Sequence, residues 1–87
     1  MFLSKDVEQL YDKFAETVYQ PNVLDVKTKE LIAMACSVMA DCVPCIEYHH
    51  KKAIEAGATK GDISETLAIT MSISAGSKKA KYGSLIK

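Results

Sequence analysis

Two cysteines three positions apart, Cys42 and Cys45, are the residues of this chain best suited to chemistry. At this spacing on a helix, two side chains lie on neighbouring positions of one face, so their sulfurs can form a disulfide. The first turn of a helix presents unpaired N–H groups and partial positive charge, which favour thiolate over thiol. Pro44 suits that turn, because the first helical positions need no N–H partner. The pattern therefore predicts a redox-active dithiol at the start of a helix.

A histidine continues this pattern along the same helix. His49 follows Cys45 by four residues and Cys42 by seven, so the three side chains share one stripe. Ile46 and Ala53 lie on the stripe too, which indicates that it faces inward. An imidazole beside a thiol can take its proton or hold the thiolate as an ion pair. The spacing thus offers a nucleophile, a resolving thiol and a base on one element.

A metal site is the main alternative for these residues, because a Cys-x-x-Cys pair is also a common half of a zinc or iron–sulfur site. The chain has no second Cys-x-x-Cys and no His-x-x-x-His, so Cys36 would have to join Cys42, Cys45 and His49, within one chain or across subunits. In the middle of an apolar helix, Cys36 is instead expected to act as a small core hydrophobe. We therefore favour the redox pair and predict neither a metal nor a cofactor.

Composition limits the classes of partner. The chain has 87 residues, 48% of them apolar, and its 11 basic and 11 acidic residues cancel. Without a basic stripe there is little electrostatic reason to bind nucleic acid or an anionic membrane. No apolar run approaches the roughly 18 residues of a membrane span, and the N-terminus does not resemble a signal peptide. An odd number of cysteines, three, argues against a secreted disulfide framework, so we expect a cytoplasmic protein.

The elements that must position the thiols are all helical, since no stretch alternates with a period of two. We predict an all-α fold, a single domain over 1–87 with a small bundle of four to five helices and a core over about 21–76. The apolar stripe of the first helix, at about 4–20, consists of Val7, Leu10, Tyr11, Phe14 and Val18. Capping and breaking residues place the later helices at Asp25 to Ala40, Cys42 to before Gly57 and 60–74, with a short one after Gly76.

Two of the predicted helices are too apolar for a small monomer. Residues 31–40 and 66–75 contain no charged side chain on any face. A helix that is apolar all round must be buried all round, and so short a chain cannot enclose two such helices. We therefore expect an obligate oligomer.

The stretch from Glu30 to Gly57 resembles the alkylhydroperoxidase D / carboxymuconolactone decarboxylase family. Its redox branch carries a Glu, then after twelve residues a Cys-x-x-Cys, then a His four residues beyond the second Cys. The corresponding residues of this chain are Glu30, Cys42, Cys45 and His49. The resemblance covers about residues 20–76, and it implies an all-helical bundle that assembles into a homo-trimer or homo-hexamer.

The resemblance also implies a role for each residue. Cys45 would attack a hydroperoxide, Cys42 would resolve the product to a disulfide, and Glu30 and His49 would relay protons through water. The helix dipole alone would favour Cys42 as the more reactive thiolate, but only Cys45 has a histidine four residues on. Val43-Pro44 departs from the branch, in which a His often precedes the second Cys, and this favours a general disulfide reductase as a second form of the activity.

The sequence therefore predicts a thiol-dependent oxidoreductase that reduces hydroperoxides or disulfides. The chain has no nucleotide-binding glycine loop, so its electrons would come from an external dithiol on a lipoylated or thioredoxin-like protein. Three alternatives stay open: a lactone decarboxylase or isomerase of the same fold, a module that binds a metal or iron–sulfur cluster, and a purely structural role. The decarboxylase branch does not depend on a cysteine pair, so the retained spacing argues against it.

Overall fold

The computed structural model describes residues 2–86, and these form four α-helices and a short 3₁₀-helix. The helices are α1 (Lys5–Val18), α2 (Val26–Met39), α3 (Val43–Glu55) and α4 (Lys60–Tyr82), followed by the 3₁₀-helix Gly83–Ile86. The part of the chain that the structure describes contains no β-strand. The predicted all-α fold is confirmed.

Side-chain caps begin two of the helices where the sequence predicts them. At α2 the Thr28 N–H donates to Asp25 Oδ1 over 2.8 Å. At α4, Thr59 and Asp62 form a reciprocal capping box, with bonds of 2.9 Å and 3.1 Å. These N–H donors lower the pKa of the Asp25 and Asp62 carboxyls. Ser4 precedes α1 as expected, but its side chain makes no capping bond.

The prediction that Gly76 ends the fourth helix is wrong. Helix α4 continues through Gly76 to Tyr82 and has 23 residues. A glycine inside a helix is unfavourable by only about 1 kcal/mol relative to alanine, and it keeps its backbone N–H. Lys79 and Lys81 in the last turn complement the carbonyl end of the dipole. A true glycine stop lies after α3, where Gly57 adopts a φ of 97° that other residues rarely reach.

Helix α2 is the centre of the fold, because it packs against both α3 and α4. The apolar side chains buried between these helices are few and mostly small: Ala33, Met34, Ala53 and Ala58. The backbone of α1 does not approach the other helices closely, although some of its side chains line a cavity with residues of α2 and α3. The packed region is therefore α2 with α3 and the first part of α4.

The protomer is extended for its length. Its radius of gyration is 16.2 Å and its dimensions are 53 × 34 × 24 Å, whereas a compact chain of this size has a radius of about 12 Å. On α1, Leu10 is 72% exposed and Phe14 is 65% exposed. On α4, Ile69 and Met71 are exposed as well. Large apolar side chains of α1 and α4 are thus left uncovered by residues 2–86, whereas the charge-free stretch of α2 is partly buried. Within residues 2–86, no helix is both long and apolar enough to cross a membrane.

Candidate active site

The two cysteines lie at the beginning of α3 and are joined in a disulfide. Cys42 occupies the N-cap, and Pro44 lies in the first turn that follows. The Cys42 and Cys45 Cα atoms are 5.2 Å apart, and the Cys45 N–H donates to Cys42 Sγ over 3.3 Å. The helix start therefore brings the sulfurs together and directs a backbone donor at one of them.

A tight turn between α2 and α3 sets the position of this pair. Asp41 adopts a left-handed conformation with a φ of 54°, which reverses the chain between the helices. The Cys42 N–H then donates to the Ser37 carbonyl over 3.0 Å. The buried Ser37 hydroxyl donates to the Ala33 carbonyl over 2.6 Å. As a result, the inner face of α2 forms a wall beside the two sulfurs.

Glu30 lies on that face of α2 and pairs with His49 of α3. The distance from His49 Nδ1 to Glu30 Oε2 is 2.8 Å, and their side chains are 15% and 6% exposed. With Glu30 ionised, Nδ1 must carry the hydrogen that is donated, which leaves Nε2 as the basic nitrogen of the neutral imidazole. Local sequence alone would place Glu30 in solvent, but the packing of α2 on α3 buries it.

Two tyrosines contact the His49 ring. The Tyr19 ring lies 5.2 Å from it, centroid to centroid, at an interplanar angle of 30°. The Tyr48 ring meets it edge to face at 5.1 Å and 84°. Burial raises the pKa of the Tyr19 phenol, and the nearby Glu30 carboxylate adds to the rise. The Tyr19 hydroxyl therefore stays protonated at neutral pH.

Two cavities adjoin the disulfide and differ in character. The first, of about 560 Å³, is mainly apolar, with Leu24, Ile32 and Ala33 in its walls together with Cys42 and Cys45. The second, of about 740 Å³, has more polar walls, which include Glu16, Glu30, Tyr48 and Lys52. Three residues line both cavities: Tyr19, Cys45 and His49. Cys42 lines the first cavity but not the second.

The expectation that Cys36 is a core residue is wrong for the protomer. Its thiol is free and exposed, and it lines the first cavity together with Cys42 and Cys45. Residues 2–86 leave Cys36 exposed, although its neighbours in sequence are apolar. Among residues 2–86, no three or more His, Cys, Asp or Glu side chains are grouped so that they could hold a metal ion.

The structure brings together all four residues that the sequence singles out: Glu30, Cys42, Cys45 and His49. It adds Tyr19 and Lys29, which sequence reasoning missed. The Lys29 ammonium donates to the carbonyl oxygens of Val18, at 2.8 Å, and Gln20. Pro21 indicates that the first helix ends near Tyr19. The contacts of Tyr19 depend on the path of residues 20–25, which the sequence alone does not show.

Chemically, this arrangement offers a reducible disulfide, a basic imidazole nitrogen and a buried carboxylate opposite it. The carboxylate stabilises an imidazolium, so the imidazole can accept a proton and later return it. Cys45 and His49 share both cavities, so a small molecule in either cavity can reach them.

Comparison with known proteins gives relatives of the same fold. A curated relative from Paracoccus denitrificans, "Uncharacterized protein 4 in cox locus", is 32% identical over 85% of this chain and 67% of its own length. Two further uncharacterized relatives, from Haemophilus influenzae and Cupriavidus necator, match over 40% and 50% of their lengths. The chain thus spans about two thirds or less of the curated relatives it matches.

Solved structures agree more closely. A protein from Methanobacterium thermoautotrophicum superposes with a TM-score of 0.87 at 31% identity, over 100% of both chains. A carboxymuconolactone decarboxylase family protein from Thermotoga maritima, for which involvement in the antioxidative response has been suggested, superposes with a TM-score of 0.74. It is 34% identical over 78% of this chain and 70% of its own. The model of the carboxymuconolactone decarboxylase family matches residues 5–83. From this match and these neighbours, the chain belongs to the carboxymuconolactone decarboxylase family.

Proposed function

We propose that the protein is a thiol-dependent oxidoreductase that reduces hydroperoxides or disulfides by cycling Cys42 and Cys45 between dithiol and disulfide. One observation carries the proposal: the disulfide shares a cavity with His49, whose Nδ1 lies 2.8 Å from the buried Glu30 carboxylate. Family membership and the antioxidative role suggested for the Thermotoga maritima protein support it.

With a hydroperoxide, the oxidative half-reaction begins at Cys45. His49 Nε2 takes the thiol proton, and the thiolate attacks the terminal peroxide oxygen, so that an S–O bond forms as the O–O bond breaks. The alkoxide leaves as the alcohol with the proton that His49 held. The Cys42 sulfur then attacks the sulfenic sulfur, an S–S bond forms, and the oxygen leaves as water with the Cys42 proton. The balance is one alcohol, one water and one disulfide from one hydroperoxide and two thiols.

With a disulfide substrate the same two thiols suffice. A thiolate attacks one substrate sulfur and releases a thiol, and the second cysteine resolves the mixed disulfide and releases the other thiol. Val43-Pro44 between the cysteines favours this form, because the histidine that often precedes the second Cys in the redox branch is absent. In either form an external dithiol, on a lipoylated or thioredoxin-like protein, returns the pair to the reduced state.

The order of attack has two competing physical determinants. The Cys45 N–H donates to Cys42 Sγ, and this donor stabilises a thiolate on Cys42 after reduction. Cys45 instead shares both cavities with His49 and is one helical turn from it. We assign the attacking role to Cys45, since proton removal by the imidazole acts on the thiol itself.

Thiol titration of the reduced protein tests the proposal. With cumene hydroperoxide and, separately, oxidised lipoamide, we expect accessible thiols to fall from the three cysteines of the chain to the one free cysteine, Cys36. Loss with lipoamide alone identifies a disulfide reductase, and loss with the hydroperoxide alone identifies a peroxidase. Three thiols left after both treatments contradict the proposal.

We also propose that the working unit is a homo-oligomer, a trimer or hexamer. The exposed side chains of α1, which include Leu10 and Phe14, and of α4, which include Ile69 and Met71, form more apolar surface than isolated small proteins usually carry. Multi-angle light scattering at micromolar concentration measures the mass directly. A folded monomer of 9.5 kDa contradicts this proposal.

A further inference from the structure

Tyr19 lies where the two cavities and the histidine meet. It is half-buried immediately after α1, its ring lies 5.2 Å from the His49 ring, and it lines both cavities. Glu30, which holds His49 Nδ1, lies in the second cavity beside it. Tyr19 therefore packs against the one ring whose orientation the proton relay requires.

A lysine fixes Tyr19 in this place. The Lys29 Nζ donates to the Val18 carbonyl over 2.8 Å and to the Gln20 carbonyl, one residue on either side of Tyr19. Carbonyls at the end of a helix lack intrahelical partners, and a cation there also complements the dipole. The backbone of α1 does not approach α2, α3 or α4 closely, so these two Lys29 bonds, which we call the Lys29 clamp, hold the end of α1 beside the site. Lys29 and Glu30 are consecutive, so one residue of α2 holds Tyr19 while the next holds His49.

We propose that Tyr19 is a positioning residue: its ring, held by the Lys29 clamp, keeps the His49 imidazole oriented with Nδ1 on Glu30 and Nε2 available for proton exchange. The orientation of His49 follows from these contacts alone, whereas its effect on the thiols rests on the proposed function.

The ring of Tyr19 carries this effect, and its hydroxyl does not. The Tyr19 ring packs against the imidazole with the two planes inclined by only 30°, and the Tyr48 ring meets the imidazole nearly at a right angle. The side-chain hydrogen bond of His49 goes to Glu30 and not to the Tyr19 phenol. The pKa of the Tyr19 phenol is raised by burial, so the phenol stays protonated near neutral pH. Without the Tyr19 ring, the imidazole can rotate about its side-chain bonds and lose its hydrogen bond to Glu30.

Nitrogen NMR of the isotopically labelled full chain reads the His49 tautomer directly. In the native protein we expect one tautomer, protonated on Nδ1. Tyr19→Phe keeps the ring and should keep that tautomer, whereas Tyr19→Leu should give a mixture with the Nε2-protonated form. An aromatic contact shifts an equilibrium by about twofold to tenfold, and we expect a change of that size. Lys29→Met should act in the same direction without altering either ring.

The matched control for the clamp is Lys27→Met. Lys27 lies on the same helix but pairs with Asp62 at 3.6 Å, away from His49, so it should leave the tautomer unchanged. An unchanged tautomer in Tyr19→Leu overturns the proposal, and equal loss in Tyr19→Phe and Tyr19→Leu overturns the role of the ring. If Tyr19→Leu does not fold by circular dichroism, Lys29→Met decides: a mixed tautomer supports the proposal, and a native one overturns it.

Alkylation of Cys45 by iodoacetamide across pH separates this proposal from the proposed function. We expect the Cys45 rate at neutral pH to fall by about threefold in Tyr19→Leu and to stay native in Tyr19→Phe. If the tautomer changes while the Cys45 profile stays native even in His49→Ala, the orientation proposal stands and the thiol–histidine coupling of the proposed function fails.

Discussion

The α2–α3 region and the α1 helix of this protein differ in how many of their contacts come from the same protomer. Between α2 and α3, the buried pair Glu30–His49, the disulfide and the Ser37 bonds are all formed by residues of the same protomer. Helix α1 has an apolar stripe as regular as any in the chain, yet the large side chains of that stripe are exposed, and Lys29 bonds the carbonyls at its C-terminal end. The candidate site is thus complete within one protomer, whereas the stripe of α1 is left for the proposed subunit association to cover.

The largest effect that we predict is a loss of turnover when Cys42 or Cys45 is replaced, but not when Cys36 is replaced. Cys42→Ser or Cys45→Ser should lower turnover with an external dithiol by about a thousandfold or more, because neither single thiol can complete the cycle. Cys36→Ser is the matched control, since Cys36 lines the same cavity but has no disulfide partner. Initial rates with cumene hydroperoxide or oxidised lipoamide measure the effect. A Cys36→Ser loss as large as that of Cys45→Ser would contradict the assignment.

The next prediction concerns two adjacent histidines. His49→Ala should lower the rate about a hundredfold by removing the proton acceptor. It should also destabilise the protein by about 1–3 kcal/mol, because Glu30 is left buried without its partner. His50→Ala, at an exposed position, should change neither quantity much. Rates and urea unfolding of the two variants give the comparison, and similar behaviour of both would remove the relay from the mechanism.

The third prediction tests whether α1 needs a partner subunit. Phe14→Glu places a charge on the exposed apolar stripe and should weaken subunit association by about a hundredfold, because the charge would be buried unpaired at an interface. Gln9→Glu adds the same charge on the opposite face of α1 and should associate normally. Light scattering over a dilution series measures both. If Phe14→Glu has the native mass at every concentration, the α1 stripe is not an interface.

The features that the sequence predicts well are those determined by local contacts. Asp25 and the Thr59–Asp62 pair cap helices through bonds three residues long, and the spacing of Cys42, Cys45 and His49 follows from helix geometry. Only the family resemblance predicts a role for Glu30, because its neighbours in sequence are polar, whereas the fold buries its side chain.

The features that escaped prediction depend on contacts distant along the chain or on their absence. Tyr19 contacts His49 across thirty residues of sequence, and Lys29 bonds the chain beside it, whereas hydrophobic periodicity indicates neither contact. Cys36 has apolar neighbours in sequence but is exposed in the fold. At Gly76 the sequence predicts a helix end that does not occur, since a single glycine destabilises a long helix only slightly.

We expect acid to lower the stability of the packed helices by protonating the carboxylates that cap α2 and α4. The pKa values of Asp25 and Asp62 are lower in the folded chain than their ordinary values, because backbone N–H groups donate to the carboxylates. Their contribution to stability is therefore complete above the unfolded pKa of about 4 and is lost as the pH falls through the folded values. Asp25→Asn and Asp62→Asn should flatten this acid limb in thermal melts between about pH 5 and 2. Unchanged pH dependence in the double variant would show that other carboxyls govern it.

The smallest effect that we predict concerns Gly76, in the second half of α4. Gly76 has no atom within 4 Å of the position that a Cβ would take, and its backbone is helical. Gly76→Ala should therefore stabilise the protein by about 0.5–1 kcal/mol, because alanine loses less backbone entropy in a helix. Gly57→Ala is the opposite control: its site is equally open, but a φ of 97° makes alanine strained there, so it should destabilise. Urea unfolding at fixed protein concentration measures both. If Gly76→Ala instead destabilises the assembly, a partner subunit packs closely against Gly76, and the extended half of α4 belongs to the interface together with α1.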